Sequence, residues 1–250
     1  MAPTLHLVRH AQGYHNLSVA NHAIHDPSLT PFGEQQCRDL ATKFPYHDGV
    51  EAVVASPIRR TIYTALLGFG GDLEKKGLKV IGLPELQETS DLPCDTGSTP
   101  QELAKEFEGK PIDLGLVKEG WTSKKGKWAP TGKAIEARAK EARIWLMSRP
   151  EKEIVVVTHG GFLHYFTEDW ADCNRFNGTG WANTEYRSYN FSSHEPAEAH
   201  LVEIEESKKR RSMGAKPLDR EEKAQVQPQA TVPVAEKATQ EPAVDVRANI

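Results

Sequence analysis

Two short apolar runs constrain this chain most, because each ends directly in a histidine. Leu5-His6-Leu7-Val8 leads into Arg9-His10, and Val155-Val156-Val157-Thr158 leads into His159-Gly160-Gly161. An apolar stretch of this length, bounded by glycine at 13 in one case and at 160 and 161 in the other, reads as a buried strand followed by a sharp departure. In open α/β sheets, ligands sit at the carboxyl ends of such strands. The first run therefore delivers a fixed cation and a nucleophile-capable imidazole to a ligand-binding edge, and the second delivers another imidazole.

The rest of the chain alternates between strand and helix signals. Residues 50–55, 79–81, 184–191 and 199–204 read as further strands, the last two joined by a turn at 192–197. Thr30 suits a helix N-cap, Pro31 the first helical position and Glu34 the positive end of the dipole, with Cys37, Leu40, Ala41 and Phe44 as the buried stripe. Ser56-Pro57 repeats the cap-plus-proline signal for a helix to about residue 69, ended by Gly68, Gly70 and Gly71. Thr131 caps a long helix with a stripe of Ile135, Ala139, Ala142 and Leu146, a short helix is expected at 99–108, and another at about 162–170. The segment 83–97 reads as a loop, and 109–130 is an irregular excursion with Trp121 and Trp128. Such an excursion is a lid or specificity element, or a surface loop whose tryptophans tuck onto the body.

Apolar residues are concentrated before about residue 205, which suggests a catalytic domain at 1–206 and a disordered polar tail at 207–250. Lys208-Lys209-Arg210-Arg211, directly after two glutamates, reads as a solvated exit from the fold, with nuclear import as the alternative. A net charge of −4 gives no global basic field, so neither nucleic acid nor a membrane is the expected partner, and a substrate anion must be captured by a local cluster. Cys37, Cys94 and Cys173 are odd in number and widely spaced, which argues against a disulfide framework and a metal knuckle. With no basic-then-apolar leader and no window near ~18 apolar residues, a soluble cytoplasmic protein is expected. Ten histidines include the close pair His22 and His25, but no H-E-x-x-H occurs, so neither a metal nor another cofactor is expected. The oligomeric state is not encoded in any of these signals.

Arg9-His10 with the following Ala11-Gln12-Gly13-Tyr14-His15-Asn16, Ser56-Pro57-Ile58-Arg59-Arg60-Thr61, and the run ending in His159 together resemble the histidine phosphatase superfamily, in the branch that also contains cofactor-dependent phosphoglycerate mutase. The resemblance spans about residues 4–204. It implies an α/β three-layer sandwich, a mostly parallel central sheet with helices on both faces. It implies a phosphate-binding pair of Arg9 and Arg60, the latter from the S-x-x-x-R pattern starting at Ser56, with Arg59 as the alternative. His10 is the implied nucleophile, His159 the second histidine, and Asn16 a contact to the phosphoryl oxygens. Glu88, in Leu86-Gln87-Glu88, matches the proton donor, with Glu85 and Asp95 as rivals. The chain departs from the family's usual Arg-His-Gly-Glu at Ala11 and Gln12, which removes a negative charge and bears on substrate preference.

Such a set suits a phosphate monoester of a small molecule: arginine forks neutralise the equatorial oxygens, an unprotonated imidazole attacks, and an acid protonates the leaving oxygen. The implied activity is phosphatase chemistry through a phosphohistidine on His10. A phosphoglycerate mutase-type phosphotransfer is the runner-up, but the Glu-Arg-x-Tyr-Gly run of mutases is not found at Glu88, where Thr89-Ser90-Asp91 follows. A lyase or hydrolase acting on another phosphorylated or diphosphate metabolite, or a non-catalytic module that binds phosphorylated ligands, completes the alternatives.

Overall fold

Val155, Val156 and Val157 offer no polar side chain to either face, so their strand can only lie where both faces are covered. In the computed structural model, which describes residues 2–169, 180–193 and 195–212, that strand is the centre of a seven-stranded sheet. It is strand β5 (Glu153–Thr158), paired in parallel with β1 (Thr4–Arg9) on one side and β2 (Ala52–Ala55) on the other. Beyond β2 lie β3 (Val80–Gly82) and the two-residue β4 (Ile112–Asp113), both parallel. Beyond β1 lies β6 (Tyr186–Phe191), antiparallel to it, and then β7 (Leu201–Glu203), antiparallel to β6. The sheet is mostly parallel, as the resemblance implies.

Helices cover both faces. On one, Leu5, Leu7, Ile154 and Val156 pack against α5 (Gly132–Met147) and α6 (Gly160–Thr167) through Ala139, Leu146, Phe162 and Phe166. On the other, Val8, Val53, Val155 and Val157 meet Leu40 and Phe44 from α1 (Pro31–Lys43) and its end, Ala65 of α2 (Arg59–Gly68), and Leu73 of α3 (Gly70–Lys76). The period-2 alternation along β5 thus sends successive valines to opposite helical layers.

Several elements differ from expectation, each for a local reason. The helix expected from Ser56 starts at Arg59, because Pro57 and the extended Ile58 carry the chain outward first, and the Ser56 hydroxyl is engaged elsewhere. That helix ends at Gly68 and breaks at Phe69, but Gly70 and Gly71 do not end helical structure: they open α3, which stops at Gly77, in the left-handed region at φ 64°. Helix α4 (Pro100–Glu106) has a capping box of Thr99 and Glu102 and ends two residues early, and α6 stops at Thr167. The 109–130 excursion is docked: Trp121 is buried among Ile58, Ile62, Leu103, Phe107 and Val117.

The boundary expected at residue 206 falls inside a further helix, α7 (Glu205–Ser212). Buried Ser207 donates to Glu203 and accepts from the Ser188 backbone, Arg211 pairs with Glu203, and Arg210 lies over the Tyr186 ring. The basic cluster is therefore partly packed on the sheet edge. The remainder of the expected tail, 213–250, and Cys173 lie outside the described residues. No helix among the described residues is long and apolar enough to cross a membrane.

The layered packing makes a direct prediction. Leu146→Ala, at a fully buried position of α5, lowers the unfolding free energy by about 2–5 kcal/mol in denaturant titration, whereas Phe32→Ala, at a residue 60% exposed, changes it by less than about 0.5 kcal/mol.

Candidate active site

The parallel strands end in register, and their ends are tied to one another. The His10 N–H donates to the Thr158 carbonyl, the Ser56 N–H to that of Val157 and the Leu83 N–H to that of Ala55. His10, Ser56, His159 and the loop carrying Glu88 therefore leave the sheet along one edge.

His10 is 2% exposed, and its Nδ1 lies 2.7 Å from the Ala11 carbonyl. A carbonyl only accepts, so Nδ1 carries the proton and Nε2 keeps its lone pair. The Arg60 Nε–H donates to that nitrogen at 3.3 Å. Burial, followed by the charges of Arg60 and Arg9, holds the His10 pKa well below the usual histidine range. The rings of His15 and His159 each lie 5.3 Å from that of His10, and burial, then Arg60, lowers both of their pKa values as well. His159 Nε2 is hydrogen-bonded to the Ser56 hydroxyl at 2.9 Å, while its buried Nδ1 has no partner among the described residues.

Both arginines are buried and held by carbonyls. Arg9 donates to Trp181, and Arg60 donates to Cys94 and forms an ion pair with Asp95 at 2.9 Å. Arg59, the alternative, points away, pairing with Glu106 at 2.8 Å, since successive helical residues diverge by ~100°.

Of the three acid candidates, Glu85 faces outward to Lys127, whereas Glu88 and Asp95 are both buried at the site. The Glu88 carboxyl accepts from the backbone N–H groups of Thr89 and Phe162 at 2.9 Å and of Gly161 at 3.3 Å, the last two at the start of α6. These donors and Arg60 favour its ionised form. Burial and the neighbouring Asp95 outweigh them and push the Glu88 pKa up to about 7. Arg138 steadies the loop, donating to the carbonyls of Glu85, Gln87 and Glu88.

Asn16 sits in the turn after His10, where its side-chain oxygen accepts from the Gly13 N–H at 3.0 Å. Gln12 accepts from the Thr30 hydroxyl, joining this turn to the start of α1. The sequence reading gave no role to His15, although it lies in the first motif, nor to Lys124, whose ammonium donates to the Gln87 side chain at 2.9 Å and the Asp95 carbonyl at 2.7 Å. Arg138 was detectable: it is a charged residue inside the apolar stripe of α5, between Ile135 and Ala139. Among the described residues, no three histidine, cysteine, aspartate or glutamate side chains are grouped to hold a metal ion. The arrangement provides a neutral imidazole nitrogen, fixed cations and a carboxyl poised to exchange a proton.

A model of the histidine phosphatase superfamily (branch 1) matches residues 5–204. A phosphoglycerate mutase-like protein of Arabidopsis thaliana is 31% identical over 64% of this chain and 72% of its own length. A Schizosaccharomyces pombe protein named a probable phosphatase is 30% identical over 65% of this chain and 76% of its own length. Among solved structures, the Entamoeba histolytica phosphoserine phosphatase with phosphoserine bound has a TM-score of 0.51 at 20% identity, covering 81% of this chain and 95% of that one. A mycobacterial glucosyl-3-phosphoglycerate phosphatase has a TM-score of 0.51 at 18% identity, covering 81% and 97%, and both resemblances concern the fold.

The Glu88 environment ties stability to pH. Because the folded pKa lies above the unfolded value of 4.5, the folded state holds a proton that the unfolded state has released between pH 4.5 and about 7. Wild-type stability relative to Glu88→Gln therefore falls with rising pH across this window, with a limiting slope of about 1.4 kcal/mol per unit. Urea titrations of both proteins at pH 5, 6 and 7 measure it, and a constant difference contradicts the assignment.

Proposed function

As the chain belongs to the histidine phosphatase superfamily, branch 1, we propose that it hydrolyses a phosphate monoester of a small molecule through a phosphohistidine formed on His10. The observation that carries this reading is the His10 ring, fixed by the Ala11 carbonyl with Nε2 unprotonated and directed at Arg60. In the first step, the Nε2 lone pair attacks phosphorus, the bond from phosphorus to the alcohol oxygen breaks, and Glu88 gives its proton to that oxygen. In the second, water attacks the phosphohistidine and passes a proton to the Glu88 carboxylate, and the phosphorus–nitrogen bond returns its electron pair to Nε2.

Arg9 and Arg60 neutralise the equatorial oxygens, and a phosphoryl oxygen gives the unpartnered Nδ1 of His159 a hydrogen-bonding role. Asn16, beside the nucleophile's turn, completes the phosphate contacts. No cofactor is required. The relative named as a phosphatase supports hydrolysis. So does the loop after Glu88, which brings the acidic Asp95 to the site rather than arginines for a second anion. A reducing compartment, the cytoplasm, suits a chain whose Cys37 is a buried free thiol.

Rapid-quench mixing with a 32P-labelled ester is expected to trap acid-labile label on His10, and His10→Ala to lose the label together with at least about 1,000-fold in turnover. For an alkyl phosphate, kcat/KM is expected to fall above about pH 7 as Glu88 loses its proton. Glu88→Gln abolishes that limb and slows alkyl esters about 100-fold, while p-nitrophenyl phosphate, whose leaving group needs little protonation, is affected less. Undiminished turnover in His10→Ala contradicts the reading.

A further inference from the structure

The site contains a second buried carboxylate that the reaction above does not use. Asp95 is 1% exposed, its Oδ1 accepts from Arg60 Nη2 at 2.9 Å, and its Oδ2 accepts from the Ser90 hydroxyl at 2.5 Å. The carbonyl of Cys94, one residue earlier, takes the Arg60 Nη1. The loop thus grips both terminal nitrogens of the guanidinium from one side. What remains directed at His10 is the Nε edge, 3.3 Å from the nucleophilic nitrogen.

The loop itself is anchored from three directions, so this grip is stiff. The Asp26 carboxylate holds the Ser98 N–H and hydroxyl at 2.8 and 2.7 Å. Trp121 donates to the Ser98 carbonyl at 3.2 Å and lies so close over Gly97 that a Cβ there would sit 2.2 Å from its ring. Lys124 donates to the Asp95 carbonyl at 2.7 Å. The tryptophan and the lysine both come from the 109–130 excursion, which is therefore a fixed wall behind Asp95.

We propose that Asp95 is the positioning residue of this site: it holds the Arg60 guanidinium with its Nε edge toward His10, and it sets a negative charge beside Glu88 among the cations that surround that carboxyl. This rests on the phosphatase reading for its consequence in turnover but not for its effect on Glu88. The charged groups acting on Glu88 are Arg60 from α2, Arg9 from β1, Arg138 from α5, Lys124 from the excursion and Asp95 from the loop, together with the N–H groups at the start of α6. Of these, only Asp95 is negative, and its effect on Glu88 is second to that of burial. Asp95 is thus the charge that works with burial against the cations around Glu88.

Asp95→Asn removes the charge and keeps the shape, since an amide oxygen still accepts from Arg60 and the amide nitrogen can face Ser90. Asp95→Ala removes both. In Asp95→Asn, the Glu88 carboxyl, followed by carbon-13 NMR of the substrate-free protein, is expected to titrate at least about one pH unit lower than in wild type, and the alkaline limb of kcat/KM to move down with it. Asp95→Ala is expected to lose about 100-fold more kcat/KM than Asp95→Asn, through the misaligned Arg60. A Glu88 titration unmoved in Asp95→Asn overturns the proposal, as do equal losses in both variants with an unchanged pH profile. If the Glu88 titration moves but no phosphate ester is turned over by wild type, the effect of Asp95 on Glu88 stands and the hydrolase reading falls.

Discussion

The parallel register of β5 with its two neighbours is the constraint on which the site depends. Arg9 pairs with Thr158 and Ala55 with Val157, so the residues that follow, His10, His159 and Ser56, leave the sheet side by side although up to 149 positions separate them in the chain. A slip of one residue in any of these pairings would exchange the two faces of a strand and rotate its terminal side chain away from the others. The valines of β5, packed into helical layers on both sides, make such a slip costly, because every buried methylene moved into the wrong environment loses about 0.8 kcal/mol. Core packing and site geometry are one specification.

Burial then sets the chemistry of the side chains gathered there. The same desolvation that lowers the pKa of three imidazoles raises that of a carboxyl, so neutral histidines and an acid near its midpoint share one place around neutral pH. Two of the arginines have anions or carbonyls at their outer edges, which fixes the forks before any ligand arrives. Such a site need not reorganise its dipoles on binding a phosphate dianion, which is where electrostatic preorganisation has its effect.

Local signals in the sequence were sufficient wherever a residue acts on its immediate neighbours. Thr30 with Pro31 and Thr131 mark helix starts that the structure contains at those places, and the apolar runs mark β1 and β5. The same signal at Ser56 and Pro57 misled, because the serine hydroxyl bonds to a histidine 103 residues away. Adjacent Arg59 and Arg60 differ only in helical phase, which a helix start displaced from 57 to 59 obscures; the motif resemblance favours Arg60, whose Nε lies 3.3 Å from His10, while Arg59 pairs with Glu106. Glu88 and Asp95 were both candidates, and their surroundings separate them, one facing backbone N–H groups and the other an arginine. Lys124 left no trace in any pattern, since its place depends on how an irregular excursion docks. Helix α7, which runs past residue 206, has little apolar face and is held through Ser207 and ion pairs rather than a hydrophobic stripe, so composition alone does not mark it.

The central claim is that the fold presents His10 as a neutral imidazole of a single tautomer, with the proton on Nδ1 and the lone pair on Nε2. Nitrogen-15 NMR of histidine-labelled protein, with His10 assigned by difference from His10→Ala, tests it directly. The account predicts a protonated Nδ1 and an unprotonated Nε2 that persist unchanged from pH 7.5 to below pH 6. An imidazolium signal for His10 at pH 6, or a proton on Nε2 at neutral pH, would contradict it.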